Sequence, residues 1–320
     1  MTFKIEKPGI YLDVWPGDYF ADPCPKPSLT QSLAKVMLEK SPLHAWYQSP
    51  SLNPDYKRND DTKFDIGNVA HALLIGRGRE VEVIEGHDDW RTKSSQEKRA
   101  AAAAVGKLPV LGRHYALADR MVDAARVQLA QRGLEDLFVE GSGEVVMCWQ
   151  EDVADEHGEI EPIWLRQMVD WLTPNRDVFC DYKTSDMSAS PIRLGQKMWN
   201  DGWHIQAAMA ERGLDNFHPS NHGRRDFLFC VQETQAPFAL TVARISEAPL
   251  TVGRKQLDWA VERWAECMRT NVWQGYPLEI VTPVMPGWSE QQWLSREIEE
   301  ADSKRRVLPA PPLDRIFSGG

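Results

Sequence analysis

The sequence has few cysteines and no motif that pairs them. Five cysteines lie far apart in 320 residues, their number is odd, and none forms a CxxC pair. Disulfide frameworks and zinc sites need paired or closely spaced cysteines, so this pattern argues against both. We expect most of these cysteines to be small apolar residues of the core.

Long apolar runs and a targeting segment are also lacking. No stretch approaches the roughly 20 apolar residues of a membrane-spanning helix. The first residues, MTFKIEKPGIYLDV, lack the basic start, apolar middle and cleavage site of a secretory signal. We therefore expect a cytoplasmic protein that contacts no membrane.

An excess of positive charge is the third absence. The chain has 37 Lys and Arg against 47 Asp and Glu, a formal net charge of −10. This balance argues against a protein that coats nucleic acid by bulk attraction. Any nucleic-acid contact must be local, whereas clustered carboxylates around a cation are compatible with an acidic chain.

What is present is a globular composition, with 42% hydrophobic and 26% charged residues. We find no internal repeat and no long linker, so we predict a single domain over 1–320. Its parts would be a mostly helical segment over 1–135, an α/β core over 136–250, and C-terminal helices and a tail over 251–320.

Hydrophobic spacing predicts the elements of this domain. Helices are expected over 28–48, 65–75, 100–104, 117–131, 191–212, 249–272 and 289–306. Strands are expected over 144–150, 163–172, 178–184, 227–233 and 238–245. The fold class is therefore α/β, a mixed central sheet flanked by helices.

The informative motif is WLRQMVDWL followed about ten residues later by VFCDYKT. Side chains alternate along a strand, so Asp181 and Lys183 should point to one face. Asp170 lies near the end of the preceding strand, where a short turn would bring it beside them. Two carboxylates and one ammonium would then share a site.

That combination suits phosphodiester hydrolysis. Carboxylate oxygens bind Mg²⁺, with Mn²⁺ as a possible substitute, and the cation activates water and neutralises phosphate. Lys183 could orient the water or stabilise developing charge. The non-catalytic alternative is that the DYK triplet is an incidental ion pair at a strand end, because D-x-K triplets are common by chance.

Five ordered motifs resemble the RecB-like branch of the PD-(D/E)XK nuclease superfamily, and most closely phage-type exodeoxyribonuclease VIII, the RecE nuclease domain. A helix carries G-x-x-x-H, ending in His71, and a glutamate-bearing strand follows at Glu144. Asp170 closes a strand, the D-x-K triplet follows as DYK, and Gln206 lies on the next helix. The resemblance spans about 67–213 and implies a restriction-endonuclease-like core.

The resemblance also implies roles. His71, Asp170, Asp181 and the backbone carbonyl of Tyr182 would bind the metal. Lys183 would be the catalytic lysine. Gln206 would organise the site, and Glu144 would bind the metal or its water. Without the other motifs, a single histidine on an apolar helix is more often a core residue than a metal ligand.

One departure from the family pattern concerns the glutamine motif. The family commonly has a tyrosine four residues after the glutamine, whereas this chain has Ala210. A substrate contact from that tyrosine is therefore in doubt.

Candidates for DNA contact are fewer. Trp203, beside Gln206, could line a DNA groove, although most tryptophans in periodic segments belong to the core. Arg224 and Arg225, in a polar loop, could contact phosphates, although most such groups are solvated surface.

The resemblance implies an exonuclease that degrades linear double-stranded DNA from its ends, 5′ to 3′, leaving 3′ single strands for phage-type recombination. It would assemble into a homo-oligomeric ring and act with a single-strand annealing protein. Its location would be the cytoplasm of a bacterium or of a phage-infected host cell. One alternative is a CRISPR-associated nuclease of the same core, whose iron–sulfur cluster needs four cysteines. Another is a catalytically silent protein that binds DNA ends.

Overall fold

A computed structural model describes residues 3–57 and 66–305. Within these ranges the helices are α1 (Pro16–Phe20), α2 (Gln31–Glu39), α3 (Pro42–Gln48), α4 (Ile66–Ile75), α5 (Lys93–Ala104), α6 (Gly112–Ala130), α7 (Pro191–Asp201), α8 (Trp203–Phe217), α9 (Glu247–Thr270) and α10 (Gly287–Arg305). The strands are β1 (Gly9–Tyr11), β2 (Ser28–Leu29), β3 (Val81–Ile84), β4 (Leu108–Leu111), β5 (Ser142–Ala154), β6 (Ile160–Leu172), β7 (Val178–Ser185), β8 (Asp226–Glu233) and β9 (Leu240–Arg244).

The central sheet is mixed, which confirms the predicted fold class. Its order is β1-β5-β6-β7-β8-β9, and β2 pairs with β6. The long β5–β6 hairpin is antiparallel, β7 and β8 are parallel, and β8 and β9 are antiparallel. In the described chain, β3 and β4 form a separate parallel pair.

Two apolar cores cover the sheet around β7 and β8. Phe179 and Phe229 belong to the core that contains residues of α2, α8 and α9, whereas Cys180 and Cys230 belong to the core that contains residues of α4 and α6. This division follows from the alternation of side chains along each strand. Helix α4 therefore lies on the side of the sheet away from α8.

Two predicted helices are each divided in the structure. The helix predicted over 28–48 is divided between α2 and α3, where Pro42 lacks an N–H and Ser41 is extended, its hydroxyl capping α3. The helix predicted over 191–212 is divided at Gly202, whose φ of 73° ends α7 in the left-handed region. The short strands β1 to β4 were not predicted.

The other predicted elements are present with shifted ends. The three strands predicted over 144–184 are neighbours in the sheet, as expected. Residues 58–65, where a helix was predicted to begin, lie outside the described residues, and so does the final residue of the tail predicted over 289–306.

The chain forms two compact units, with the boundary between Gly275 and Tyr276. The first contains the central sheet, and the second contains α10. In the described part of the chain, no helix combines the length and apolar composition needed to cross a membrane.

Helix α8 packs closely on α9 through Gly253. A Cβ built on Gly253 would lie 2.3 Å from the backbone oxygen of His204. We expect Gly253→Ala to lower the free energy of unfolding by about 1–3 kcal/mol, because backbone must move to admit the methyl group. Urea unfolding followed by circular dichroism measures this change.

Gly195 provides the matched control for that substitution. It lies in α7, and nothing lies within 4 Å of its added Cβ. Gly195→Ala should therefore stabilise the fold by about 0.5–1 kcal/mol, because alanine loses less backbone entropy in a helix. Equal effects of the two substitutions would contradict the proposed α8–α9 contact.

Candidate active site

The candidate site lies where β6 and β7 separate. These strands pair only at Trp171 with Cys180 and at Leu172 with Phe179. Beyond that point the amide N–H of Tyr182 donates to Oδ2 of Asp170, at 3.0 Å. The Asp170 carboxylate therefore takes the place of a backbone acceptor, and this brings it beside the residues of β7.

The alternation of β6 is also interrupted at Asp170. Val169 packs in the core with α8, and Trp171, two residues later, packs in the core with α4. Residues two apart normally share a face. The strand is therefore reoriented at the residue that carries the carboxylate.

Asp181 and Lys183 lie on one face of β7, as the sequence predicts. Nζ of Lys183 is 2.6 Å from Oδ1 of Asp181. The ammonium also lies over the rings of Trp203 and Phe229, 5.5 and 5.7 Å from their centroids. Aromatic faces attract a cation, so this cradle fixes Lys183 beside the acids.

The charges around Lys183 keep it protonated. Burial by itself lowers the pKa of Lys183, but the carboxylates of Asp181 and Asp170 outweigh burial and raise it. The residue is therefore an ammonium ion that donates hydrogen bonds, not a base.

Gln206 holds the second oxygen of Asp181. Its side-chain amide on α8 donates a short hydrogen bond to Oδ2 of that carboxylate. Burial and the nearby Asp170 nevertheless raise the pKa of Asp181. Asp181 therefore loses its proton less readily in the folded chain than in the unfolded one.

His71 approaches the same acids from α4. Its Nε2 lies 3.2 Å from Oδ2 of Asp170. Burial lowers the pKa of His71, but Asp170, with Glu144 and Asp181, outweighs it and raises the pKa to about 9. For Asp170 the directions are reversed. Burial raises the pKa of its carboxyl group, but His71 and Lys183 outweigh burial and hold that pKa below its usual value.

Glu144 faces Asp170 from β5. The two residues lie between the paired positions Gly143–Trp171 and Val145–Val169. Glu144 has a φ of 49°, which is rare for a residue with a side chain and is found preferentially at functional sites. Burial is the main cause that raises its pKa.

The donor atoms fit a hard divalent cation in chemistry. His71 contacts Asp170, Lys183 contacts Asp181, and Glu144 lies opposite Asp170 on the neighbouring strand. Oxygen ligands of this kind suit Mg²⁺. In 3–57 and 66–305, however, no three His, Cys, Asp or Glu side chains form a preassembled metal cluster. His71 must lose its proton before its imidazole can bind a metal.

Cavities border the site on two sides of the sheet. One, of about 280 Å³, is lined by His71, Glu144 and Asp170. The other, of about 330 Å³, is lined by Lys183 and Gln206. Open space therefore lies beside Asp170 and Glu144 on the α4 side and beside Lys183 on the α8 side.

Sequence analysis did not identify three basic residues at these cavities. Arg77 and Arg79 line the cavity beside Asp170, and Lys197 lines the cavity beside Lys183. The two arginines belong to the segment GRGR, which begins five residues after His71, and its glycines predict only the end of a helix. No local signal distinguishes Lys197 from other helix lysines.

The predicted DNA contacts need correction. Trp203 is only 2% exposed and stacks on Phe229, so it supports Lys183 and does not offer a face to a base. The Arg225 side chain is 2% exposed and forms a short ion pair with Asp215, so it is not available to phosphate. Arg224 is exposed, and its role stays a prediction.

The roles of the Tyr182 carbonyl and of the cysteines also stay predictions. The Tyr182 side chain points away from the acids and donates to Gln232, at 2.5 Å. All five cysteines are buried free thiols. Cys180 and Cys230, on neighbouring strands, have their sulfurs 3.4 Å apart.

The similarity of the chain to solved structures is distant. No curated protein matches the chain. A crystal structure of a candidate exonuclease from Eubacterium rectale is similar at 12% identity, with a TM-score of 0.49, over 81% of this chain and 91% of that one. The structure of SSO0001 is similar at 12% identity, with a TM-score of 0.26, over 64% and 87% of the two chains.

The family comparison covers most of the chain. Residues 32–279 match the model of a PDDEXK-like domain of unknown function, DUF3799, and this range includes every residue of the candidate site. The superfamily prediction is confirmed, whereas the narrower resemblance to RecE stays a prediction. The chain therefore belongs to the DUF3799 family of PDDEXK-like domains, within the PD-(D/E)XK nuclease superfamily.

Proposed function

We propose that the protein is a metal-dependent exodeoxyribonuclease that hydrolyses linear double-stranded DNA from its ends. One observation carries the proposal: Asp170, Asp181 and Lys183 meet where two strands separate, with Nζ of Lys183 2.6 Å from the Asp181 carboxylate. Binding of DNA ends alone does not require a lysine fixed beside paired acids.

The residues of the chain have distinct roles in this proposal. Asp170, Asp181 and His71, with the Tyr182 carbonyl and Glu144, would hold Mg²⁺ or Mn²⁺. The cation supplies positive charge for the phosphate and acidifies a water molecule. Gln206 orients Asp181, because its amide fixes one carboxylate oxygen.

Lys183 would act on the reacting atoms. Its ammonium has three donors, of which one faces Asp181. The others can donate to the attacking water and to the phosphate oxygen that gains negative charge. A buried, fixed donor stabilises such charge better than water does, because it does not reorganise during the reaction.

The narrower features of the proposal come from the RecE-like motifs. These are 5′ to 3′ polarity, 3′ single-stranded products for phage-type recombination, a homo-oligomeric ring around DNA, and a single-strand annealing protein as partner. The net charge of −10 supports local contact with DNA rather than coating of it.

End-labelled DNA tests the proposal. With Mg²⁺, we expect loss of a 5′ label from linear duplex as mononucleotides before loss of a 3′ label, and no change in covalently closed circles. A chelator should stop digestion, because the acids then lack their cation, and added Mn²⁺ should restore it. Cutting of closed circles would show an endonuclease, and digestion in chelator would contradict metal dependence.

A further inference from the structure

The cavity on the α8 side has features that the proposed chemistry does not use. Its volume of about 330 Å³ is near the lower end for ligand pockets, roughly 300 to 1,000 Å³. It is lined mainly by polar side chains: Gln31, Lys183, Thr184, Lys197, Asp201 and Gln206. Lys183 connects this cavity with the acids, and Lys197 lies on another element, α7.

Asp201 holds the ammonium group of Lys197 in place but uses only one of its hydrogen-bond donors. Nζ of Lys197 is 2.8 Å from Oδ2 of Asp201, one turn later on α7, and the Lys197 side chain is 24% exposed. An ammonium has three donors, so two remain for a ligand. Ion pairs at this exposure are worth at most about 1 kcal/mol, so Asp201 can share Lys197 with an incoming anion.

The lining is suited to a phosphate group rather than a base. Its aromatic residue, Trp203, is 2% exposed and stacked on Phe229, so a base cannot stack on it. Lysine ammonium groups and side-chain amides are donors that bind phosphate oxygens without reading sequence. A second basic residue, Arg193, lies one turn before Lys197 on α7 and is exposed.

We propose that this cavity binds a phosphate next to the scissile one in the DNA backbone, with Lys197 as its contact. The inference rests on the proposed nuclease function, because the scissile phosphate would lie at Lys183. Lys197 then fixes the strand on the α8 side of the acids. Asp201 is a positioning residue that keeps the ammonium directed into the cavity.

Salt-dependent binding tests the subsite. Affinity for a short blunt-ended duplex is measured in Ca²⁺, to limit hydrolysis, over a series of KCl concentrations. Lys197→Ala should weaken binding about tenfold at low salt, and should reduce the slope of log affinity against log salt by about one, because one phosphate contact is lost. Lys197→Arg should restore the slope, because it restores the charge.

Lys93→Ala is the matched control. Lys93 also forms an i, i+4 pair on a helix, with Glu97, but lies outside the cavity. The Lys93→Ala variant should bind the duplex like wild type, and thermal unfolding should show that all variants fold. If Lys197→Ala binds like wild type while wild type digests DNA, the subsite alone is wrong. If wild type neither binds nor digests duplex DNA, the proposed function and the subsite fail together.

Discussion

Asp181→Asn is expected to reduce digestion of linear DNA by about 10³-fold or more, and to leave the fold at least as stable as wild type. The amide keeps the shape of the carboxylate but removes a charged ligand from the reacting centre. Loss of a single charge-stabilising group at such centres commonly lowers the rate by about 10²–10³-fold, and loss of a metal ligand should have at least that effect. Initial rates in Mg²⁺ measure the loss.

The stability of Asp181→Asn distinguishes a catalytic role from a structural one. The pKa of Asp181 is raised, mainly by burial and by Asp170, so the negative charge of Asp181 at neutral pH lowers the stability of the folded state relative to the unfolded chain. The neutral amide of the asparagine removes this unfavourable charge, so the melting temperature of Asp181→Asn without divalent metal should not fall. If the loss of activity came with unfolding, the role would be structural.

Asp177→Asn is a suitable control for Asp181→Asn. Asp177 lies just before β7, and its carboxylate accepts from Thr173 and Asn175, in the turn that joins β6 to β7. We expect nearly wild-type digestion from this variant. An equal loss of activity from both substitutions would contradict the assignment of Asp181.

Lys183→Met is expected to reduce digestion by about 10²–10³-fold, and this time to lower stability. Methionine keeps the apolar stem against the rings of Trp203 and Phe229 but removes the donors that would stabilise the transition state. The pKa of Lys183 is raised, because Asp181 and Asp170 outweigh burial. Its charge therefore stabilises the folded state at neutral pH, and this contribution is lost in the variant.

Melting temperatures compare the two variants directly. Asp181→Asn should melt at the wild-type temperature or higher, whereas Lys183→Met should melt at a lower temperature. Lys107→Met serves as the control, because Lys107 is half-buried and ion-paired with Glu80 and Glu82 outside the acid group. It should retain activity. Undiminished digestion by both Asp181→Asn and Lys183→Met would refute the nuclease assignment.

Much of the site follows from local patterns in the sequence. A strand repeats every two residues, so the triplet DYK places Asp181 and Lys183 on one face before any contact is known. The apolar runs of β5, β6 and β7 indicate that these strands are neighbours, and the motifs place His71 and Gln206 on helices. Each of these statements depends on a few consecutive residues.

The burial of two DNA-contact candidates, Trp203 and Arg225, could not be predicted from local patterns. Trp203 and Arg225 occur in segments with polar or exposed residues nearby, so the local sequence does not decide whether they are buried. Trp203 is buried because Phe229, 26 positions later, stacks on it, and Arg225 because Asp215 pairs with it. Such contacts depend on which elements meet, and not on local propensity.

The sequence by itself determined the fold class, the superfamily and which side chains are candidates for the chemistry, because periodicity and ordered motifs are local properties of the chain. Only the tertiary structure decided that β6 and β7 separate at Asp170, that the Tyr182 amide binds its carboxylate, and that a cavity places Lys197 beside Lys183. These features arise where distant segments pack together, and spacing along the chain does not encode that geometry.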